Sequence, residues 1–223
     1  CGLTEIAFAT PGSSRFNTAT YLEVVDPGFL RTIAEGQTNV AFLTGCDRDQ
    51  INTLAQAQIE RREGLPQKTF ECGTKFVRIG SDVAVVRKNI LTFDIDFKDC
   101  IPGFETFPPV EKERVIREHG DRWIPILQAL LGNNALWIVN SSGNGIHFHL
   151  KFSRPLTWSK SEDFSQWYQS LVFYFQDRVF GEFKLDQKCK NPSRLFRIPG
   201  STNWKIESCP LPASILFHNS GAE

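Results

Sequence analysis

Residues 89–97 read NILTFDIDF and residues 141–150 read SSGNGIHFHL. Along a β-strand successive side chains point to opposite faces. In the first stretch Leu91, Phe93, Ile95 and Phe97 therefore share one face, and Thr92, Asp94 and Asp96 share the other. In the second, Ile146, Phe148, Leu150 and Phe152 form an apolar face, while His147, His149 and Lys151 point the opposite way. Each strand thus has one side for a core and one side set with chemistry. This alternation predicts a sheet covered on one face and open on the other.

The surrounding pattern extends that sheet. IPGFETFPP, with three prolines, reads as a loop. VEKERVIREH reads as a helix ending before Gly120, and a second helix is expected from about Asp121 to Leu131, with Pro125 near its start. NALWIVN has no polar face and suits a central strand, and SSGNG is a tight turn into IHFHLKF. A long helix from about Ser159 to Phe180 carries Phe164, Trp167, Leu171, Val172, Phe175 and Val179 on one stripe. KLD, at 184–186, reads as a short last strand, and ASILFH in the tail as one more. The order over 88–186 is strand, helix, strand, strand, helix, strand, the split β-α-β-β-α-β arrangement of RNA-recognition-motif (RRM-like) and ferredoxin-like sheets.

The fold class expected is α+β, with two parts: an N-terminal α/β support module over residues 1–87 and an RRM-like catalytic module over 88–223. In the first part EIAFAT and VAFLTG read as strands, Asp47 as the cap of a helix carrying Ile51, Leu54 and Ile59, and KTFEC, KFVRI and VAVV as a hairpin region. No catalytic motif stands out there.

Composition sets wide bounds. The chain has 223 residues, 41% hydrophobic and 22% charged, which is ample for a core and ordinary for a globular protein. No run approaches the ~18 apolar residues of a membrane span, and the start lacks a signal-peptide pattern, so a cytoplasmic protein with no membrane partner is expected. The absence of methionine and the opening on Cys1 read as a piece of a longer protein. The six cysteines form no C-x-x-C pair and read as free thiols. Net charge is zero, yet from Lys184 to Lys205 six basic residues face one acidic residue, a local cationic patch.

Asp94 and Asp96 stand two residues apart on one strand, placing their carboxylates ~7 Å apart. Such anions repel and are costly to desolvate, and a divalent cation removes both penalties. Asp186, ending the predicted last strand, completes a trio of carboxylates. Hard oxygen donors select magnesium or manganese, and paired cations are suited to in-line phosphoryl displacement. Ser142, Gly143, Gly145 and His147 form S-G-x-G-x-H at the turn, where glycines admit close backbone approach to a phosphate and N–H groups can form an anion nest. No Gly-Lys-Ser follows, so this is not a Walker A loop. His149, one step deeper, reads as support. In RLFRIPGSTNWK, Arg197, Asn203 and Lys205 offer groups suited to phosphates, and Arg194 is a weaker candidate.

An Asp-x-Asp strand, S-G-x-G-x-H, a later strand-borne Asp and R-x-P-G-S-x-N-x-K, in this order, resemble the archaeo-eukaryotic primase superfamily. The likeness is to the primase-polymerases of plasmids, phages and other mobile elements, and it covers roughly residues 88–205. It implies template-directed nucleotidyl transfer: a DNA primase or DNA polymerase that makes or extends primers on single-stranded DNA. Asp94, Asp96 and Asp186 match the metal-binding carboxylates for a pair of Mg2+ or Mn2+ ions, with His147 also at the catalytic centre. Ser142, Gly143, Gly145, His147, Arg197, Asn203 and Lys205 match positions that hold the incoming nucleoside triphosphate, dNTP or NTP. The implied partners are a single-stranded template, a primer, and a helicase or accessory domain in the full-length protein, in the nucleoid or in mobile-element replication. The chain lacks a clustered Cys/His insertion, which leaves both initiation and extension open.

Two other readings compete. A rolling-circle initiator nuclease also uses a split β-α-β-β-α-β sheet, with His147-Phe148-His149 as its metal strand and Tyr168 or Tyr174 as nucleophile. That reading leaves Asp-x-Asp, Asp186 and the R-x-P-G segment without work. A non-catalytic RNA-recognition module would need aromatics on the open face, where acids stand instead.

Overall fold

The computed structural model describes residues 87–221, apart from residues 193 and 206–207, together with the backbone of the N-terminal strands β1 (Gly2–Ala9), β2 (Thr18–Leu22), β3 (Asn39–Asp47), β4 (Lys68–Thr69) and β5 (Lys75–Phe76). The later elements are β6 (Arg87–Asp96), α1 (Pro109–Leu131), β7 (Leu136–Ser141), β8 (Gly145–Thr157), α2 (Ser161–Phe175), β9 (Phe196–Arg197), β10 (Thr202–Asn203), β11 (Leu211–Pro212) and β12 (Ile215–Asn219). The helix expected after Asp47 and the VAVV strand lie outside the described residues, and Asp47 itself closes β3.

An α+β domain results. Strands β12-β7-β8-β6 form a four-stranded antiparallel sheet, with α1 crossing from β6 to β7 and α2 following β8. Asp94 stands opposite His147 and Thr92 opposite His149 across the β6–β8 pair. A second four-stranded sheet runs β2-β1-β3-β9, so a strand from before residue 88 pairs with one from after it.

The apolar face behaves as the alternation requires. Leu91, Phe93, Ile95 and Phe97 are all buried. Phe93 stacks between Phe148 and Tyr168 at 5.5 and 5.2 Å and meets Phe175 at 4.9 Å. Burying each such ring contributes roughly 1.5–3 kcal/mol, and well-set aromatic pairs add about 0.5–1.5 kcal/mol. Phe97 joins a second cluster with Phe104, Trp123 and Phe183.

Four expectations need correction. The two helices around Gly120 are one continuous helix. Gly120 does not break it; it lets α1 approach β12, since a Cβ there would sit 2.9 Å from Leu216 Cδ1. Pro125 removes one helical donor, but Pro125 and Asp121 lie on the exposed side, where water can satisfy the freed carbonyl. The long helix is regular only to Phe175 and closes in a wider turn over Gln176–Phe180. Its buried stripe runs through Phe164, Tyr168, Val172 and Phe175, with Trp167 partly exposed. KLD forms no regular strand: it runs extended beside β6, joined by one backbone bond from Asp186 N–H to the Asp94 carbonyl at 2.8 Å.

The fourth correction concerns the chemical face, which is not open. Thr92, His147 and His149 are only 3–5% exposed. Phe196 of β9 lies over both imidazoles, with ring centres 5.7 and 6.4 Å away, and β9 is held in place by β3. The second sheet therefore covers what the alternation alone assigns to solvent.

Two glycines separate the roles of fit and flexibility. A Cβ on Gly145 would fall 1.9 Å from the Ile95 carbonyl oxygen, a backbone atom with no room to yield. At Gly120 the obstacle is the end of a flexible leucine. Gly145→Ala should cost about 3 kcal/mol or more, while Gly120→Ala, helped by helix propensity of about 1 kcal/mol, should stay within about 1 kcal/mol of the parent. Urea unfolding of both variants checks this, and equal losses would contradict it.

Candidate functional site

Asp94 and Asp186 reach one another because the chain returns to the free edge of β6 after α2. Leu185 anchors that return in the core, and the Gln176 side chain holds its backbone, donating to the Phe183 carbonyl at 2.8 Å and accepting from Leu185 N–H at 3.1 Å. One carboxylate oxygen from each acid and the Cys189 sulfur lie within 4.8 Å of one another, close enough to share one ion. Cys189 is buried beneath the pair, and burial, then Asp94 and Asp186, push its thiol well above the usual range. A protonated thiol is a poor ligand for a hard cation, so the oxygens are the effective donors.

Asp96 does not join this group. It lies at the end of β6, and one carboxylate oxygen meets Lys98 Nζ at 3.5 Å. Its Oδ1 is buried with no hydrogen-bond partner among the described residues. Burial raises its pKa, against the pull of Lys98. The expected trio is thus a close pair, Asp94 and Asp186, with a third acid alongside.

Charge is poorly compensated at the pair. Burial, then the Asp96 and Asp186 carboxylates, push Asp94 up to about 7, with Arg194 and Arg197 pulling the other way. Arg194 Nη2 lies 3.4 Å from Asp186 Oδ2, nearer the acids than its sequence position suggested. Arg197 is placed by β9, reaches the Thr202 carbonyl at 3.5 Å, and is pushed down to about 10 by burial.

The two histidines differ in role. His149 is fully engaged, with Nδ1 2.7 Å from Thr92 Oγ1 and Nε2 2.6 Å from Asn140 Oδ1. Burial pushes it down to about 3, so it is a neutral brace, as its deeper position implied. His147 Nε2 approaches Asp94 Oδ1 at 3.5 Å, and its buried Nδ1 has no hydrogen-bond partner among the described residues. Burial, then His149 and the two arginines, hold it well below the usual imidazole range. Tyr168 is buried and donates to the Thr92 carbonyl at 2.7 Å, which leaves its oxygen committed to the core. Tyr174 is exposed.

The glycine turn is braced from within. Ser142 N–H bonds the Gly145 carbonyl and Gly143 N–H the Ser141 hydroxyl, both at 3.0 Å, so these donors are already occupied and the expected anion nest loses them. Gly143 has φ 87°, and a Cβ there would meet Leu211 and Asn203. Asn203 is buried, donates to the Ser142 carbonyl at 3.0 Å and accepts from Lys205 N–H at 3.1 Å; its amide holds the turn. The Ser142 hydroxyl has no hydrogen bond among the described residues. Lys205 is exposed and lines a pocket with Asp96.

Cys189 and Lys112 escaped sequence reading. Cys189 carried no motif. Lys112 had a signal: it stands one helical turn before Ile116 on the stripe that continues through Gly120, Trp123 and Leu127, and it is buried there.

No family model, curated protein or solved structure matches the chain. Among the described residues no helix is long and apolar enough to cross a membrane.

The Asp94 shift has a signed consequence. Between about pH 4 and 7 the folded protein keeps a proton on Asp94 that the unfolded chain has released. Its contribution to stability therefore falls as pH rises through that window and is least favourable above 7. Relative to Asp94→Asn, the parent should lose on the order of 3 kcal/mol between pH 4 and 7.5 without divalent cations. Urea unfolding of both proteins across that range measures it, and parallel profiles would contradict it.

Proposed function

We propose that this chain is a template-directed nucleotidyltransferase of the archaeo-eukaryotic primase class, a DNA primase or polymerase that makes or extends primers on single-stranded DNA. The observation that carries this reading is the meeting of Asp94 and Asp186, from two positions far apart in sequence, at the edge of one sheet. The strand order β7-β8-β6, with 184–186 running along the far side of β6, supports an RRM-like split β-α-β-β-α-β core, to which β12 adds on the other edge.

The residues fit a hard divalent cation. Two carboxylates share donor distance, Asp94 resists ionisation without a counter-charge, and Asp96 Oδ1 is buried and unpartnered among the described residues. Asp94 and Asp186 would hold magnesium or manganese, with Asp96 beside them. Bound there, the metal supplies Lewis acidity that lowers the pKa of an attacking hydroxyl and neutralises a departing diphosphate.

The chain's own groups do the positioning. Arg194 and Arg197 supply fixed positive charge beside the acids, suited to phosphate oxygens. His147, kept neutral beneath Phe196, stands beside Asp94 without adding a charge that would repel a nearby cation. The Ser142 hydroxyl adds a donor from the turn. Partial burial makes these interactions stronger than in bulk water. The cationic segment 184–205, with Lys184, Lys188 and Lys205 exposed, suits a single-stranded template, and dNTP or NTP would be the substrate.

The test is primer extension on a single-stranded DNA template with Mg2+ or Mn2+. Asp94→Asn and Asp186→Asn should each reduce extension at least ~100-fold, with unchanged circular dichroism. Mn2+ should raise the melting temperature of the parent at pH 7.5 and leave that of either variant nearly unmoved. Extension retained in both variants would sink the reading.

A further inference from the structure

A pocket lies beside Asp96, and neither Asp94 nor Asp186 lines it. It is lined by Asp96, Lys98, Phe104, Glu105, Lys112, Asn144 and Lys205. The first turn of α1, the short turn Phe104–Thr106, the end of β6 and the glycine turn converge there.

Lys112 is the informative member. The stripe it occupies calls for an apolar side chain, and Lys112 is 2% exposed. Burying an ammonium without a partner costs several kcal/mol. Yet the Lys112 ammonium makes no hydrogen bond or ion pair among the described residues, and its Nζ stands 5.7 Å from the centre of the Phe104 ring. Its methylene stem serves the core while its charge emerges into the pocket. Lys98 and Lys205 stand exposed at the rim, and Asn144 adds an amide. Of the two acids, Glu105 is exposed and Asp96 is already engaged by Lys98. The floor of the pocket therefore presents an ammonium with no protein partner among the described residues.

We propose that this pocket binds a phosphate-type anion, with Lys112 as its fixed charge and Lys98 and Lys205 closing over it. A compact oxyanion is favoured over a carboxylate because the Lys112 and Lys205 ammonium groups, with Lys98 shared between Asp96 and the anion, stand on different elements and match oxygens on several sides of one centre. The anion has two sources: the diphosphate portion of a nucleotide, or the terminal phosphate of a nucleic-acid strand. That choice of sources rests on the nucleotidyl-transfer reading; the anion site itself does not.

Isothermal titration with inorganic diphosphate, in EDTA so that no metal bridges, tests the site. The parent should bind, and Lys112→Met, which preserves length and burial, should weaken binding at least tenfold. Lys98→Gln with Lys205→Gln, both at exposed positions where folding is not at risk, should weaken it several-fold and flatten its salt dependence. A parent that binds no diphosphate, or Lys112→Met and the double variant binding as the parent does, would overturn the proposal. Competition by a 5′-phosphorylated but not a 5′-hydroxyl oligonucleotide would assign the strand end as the source; no competition by either would assign the nucleotide. Asp94→Asn should retain diphosphate binding, so loss of extension and loss of the anion site are read separately.

Discussion

The bond from Asp186 N–H to the Asp94 carbonyl fixes where the candidate site can be. It is a single backbone contact, 2.8 Å long, on the edge of β6, and a lone bond contributes only about 1 kcal/mol. What makes it dependable is its surroundings. Tyr168 bonds the neighbouring Thr92 carbonyl, Leu185 and Phe183 are buried on either side of Lys184, and Gln176 satisfies the backbone of the returning chain at both positions. Helix α2 is thereby tied to β6 directly through Tyr168, and Gln176, just beyond its end, holds the chain that returns to β6. The carboxylates meet because the scaffold over-determines their backbones, and not because they attract.

Their mutual repulsion is the second half of the same argument. Nothing in folding favours two acids over a buried thiol, as the elevated Asp94 pKa records. The arginines reduce the penalty without cancelling it. His147 and His149 stay neutral, so the imidazoles add no counter-charge. A purely structural arrangement would replace such groups with apolar ones at a gain in stability. Retaining them is comprehensible where a cation completes the charge balance.

Much of this was legible in the alternation of residues 89–97 and 141–150. Period-two patterning with a fully apolar face decides which side of each strand is buried, and the observed β6–β8 pairing sets Asp94 opposite His147 on the other side. Asp186 was legible because it follows a buried leucine after a helix of the right length. Where the reading failed, a tertiary contact decided. The polar face looked open because Phe196, which covers it, reaches there only through pairing of β9 with β3. Gly120 looked like a stop, but in a helix pressed against a strand a glycine marks close approach. KLD looked like a strand and is held by one bond rather than a ladder, because Gln187–Lys190 turns away at once and Asp186 Oδ1 caps that turn by accepting from Lys188 N–H at 2.9 Å.

The separation of Asp96 from the pair follows from strand geometry. Residues i and i+2 share a face but stand ~7 Å apart, so one carboxylate approaching from the neighbouring edge can adjoin only one of them closely. Asp186 is in register with Asp94. Asp96, at the last position of β6, is left to the short turn that follows, where Lys98 is its nearest cation. It thus stands between two regions of opposite charge: the acid pair on one side, and Lys98, Lys112 and Lys205 on the other. With a cation held by the acid pair, a ligand carrying two phosphates would span that boundary, one phosphate on the cation and the other on the lysines. A simple anion or a simple cation would satisfy only half of it.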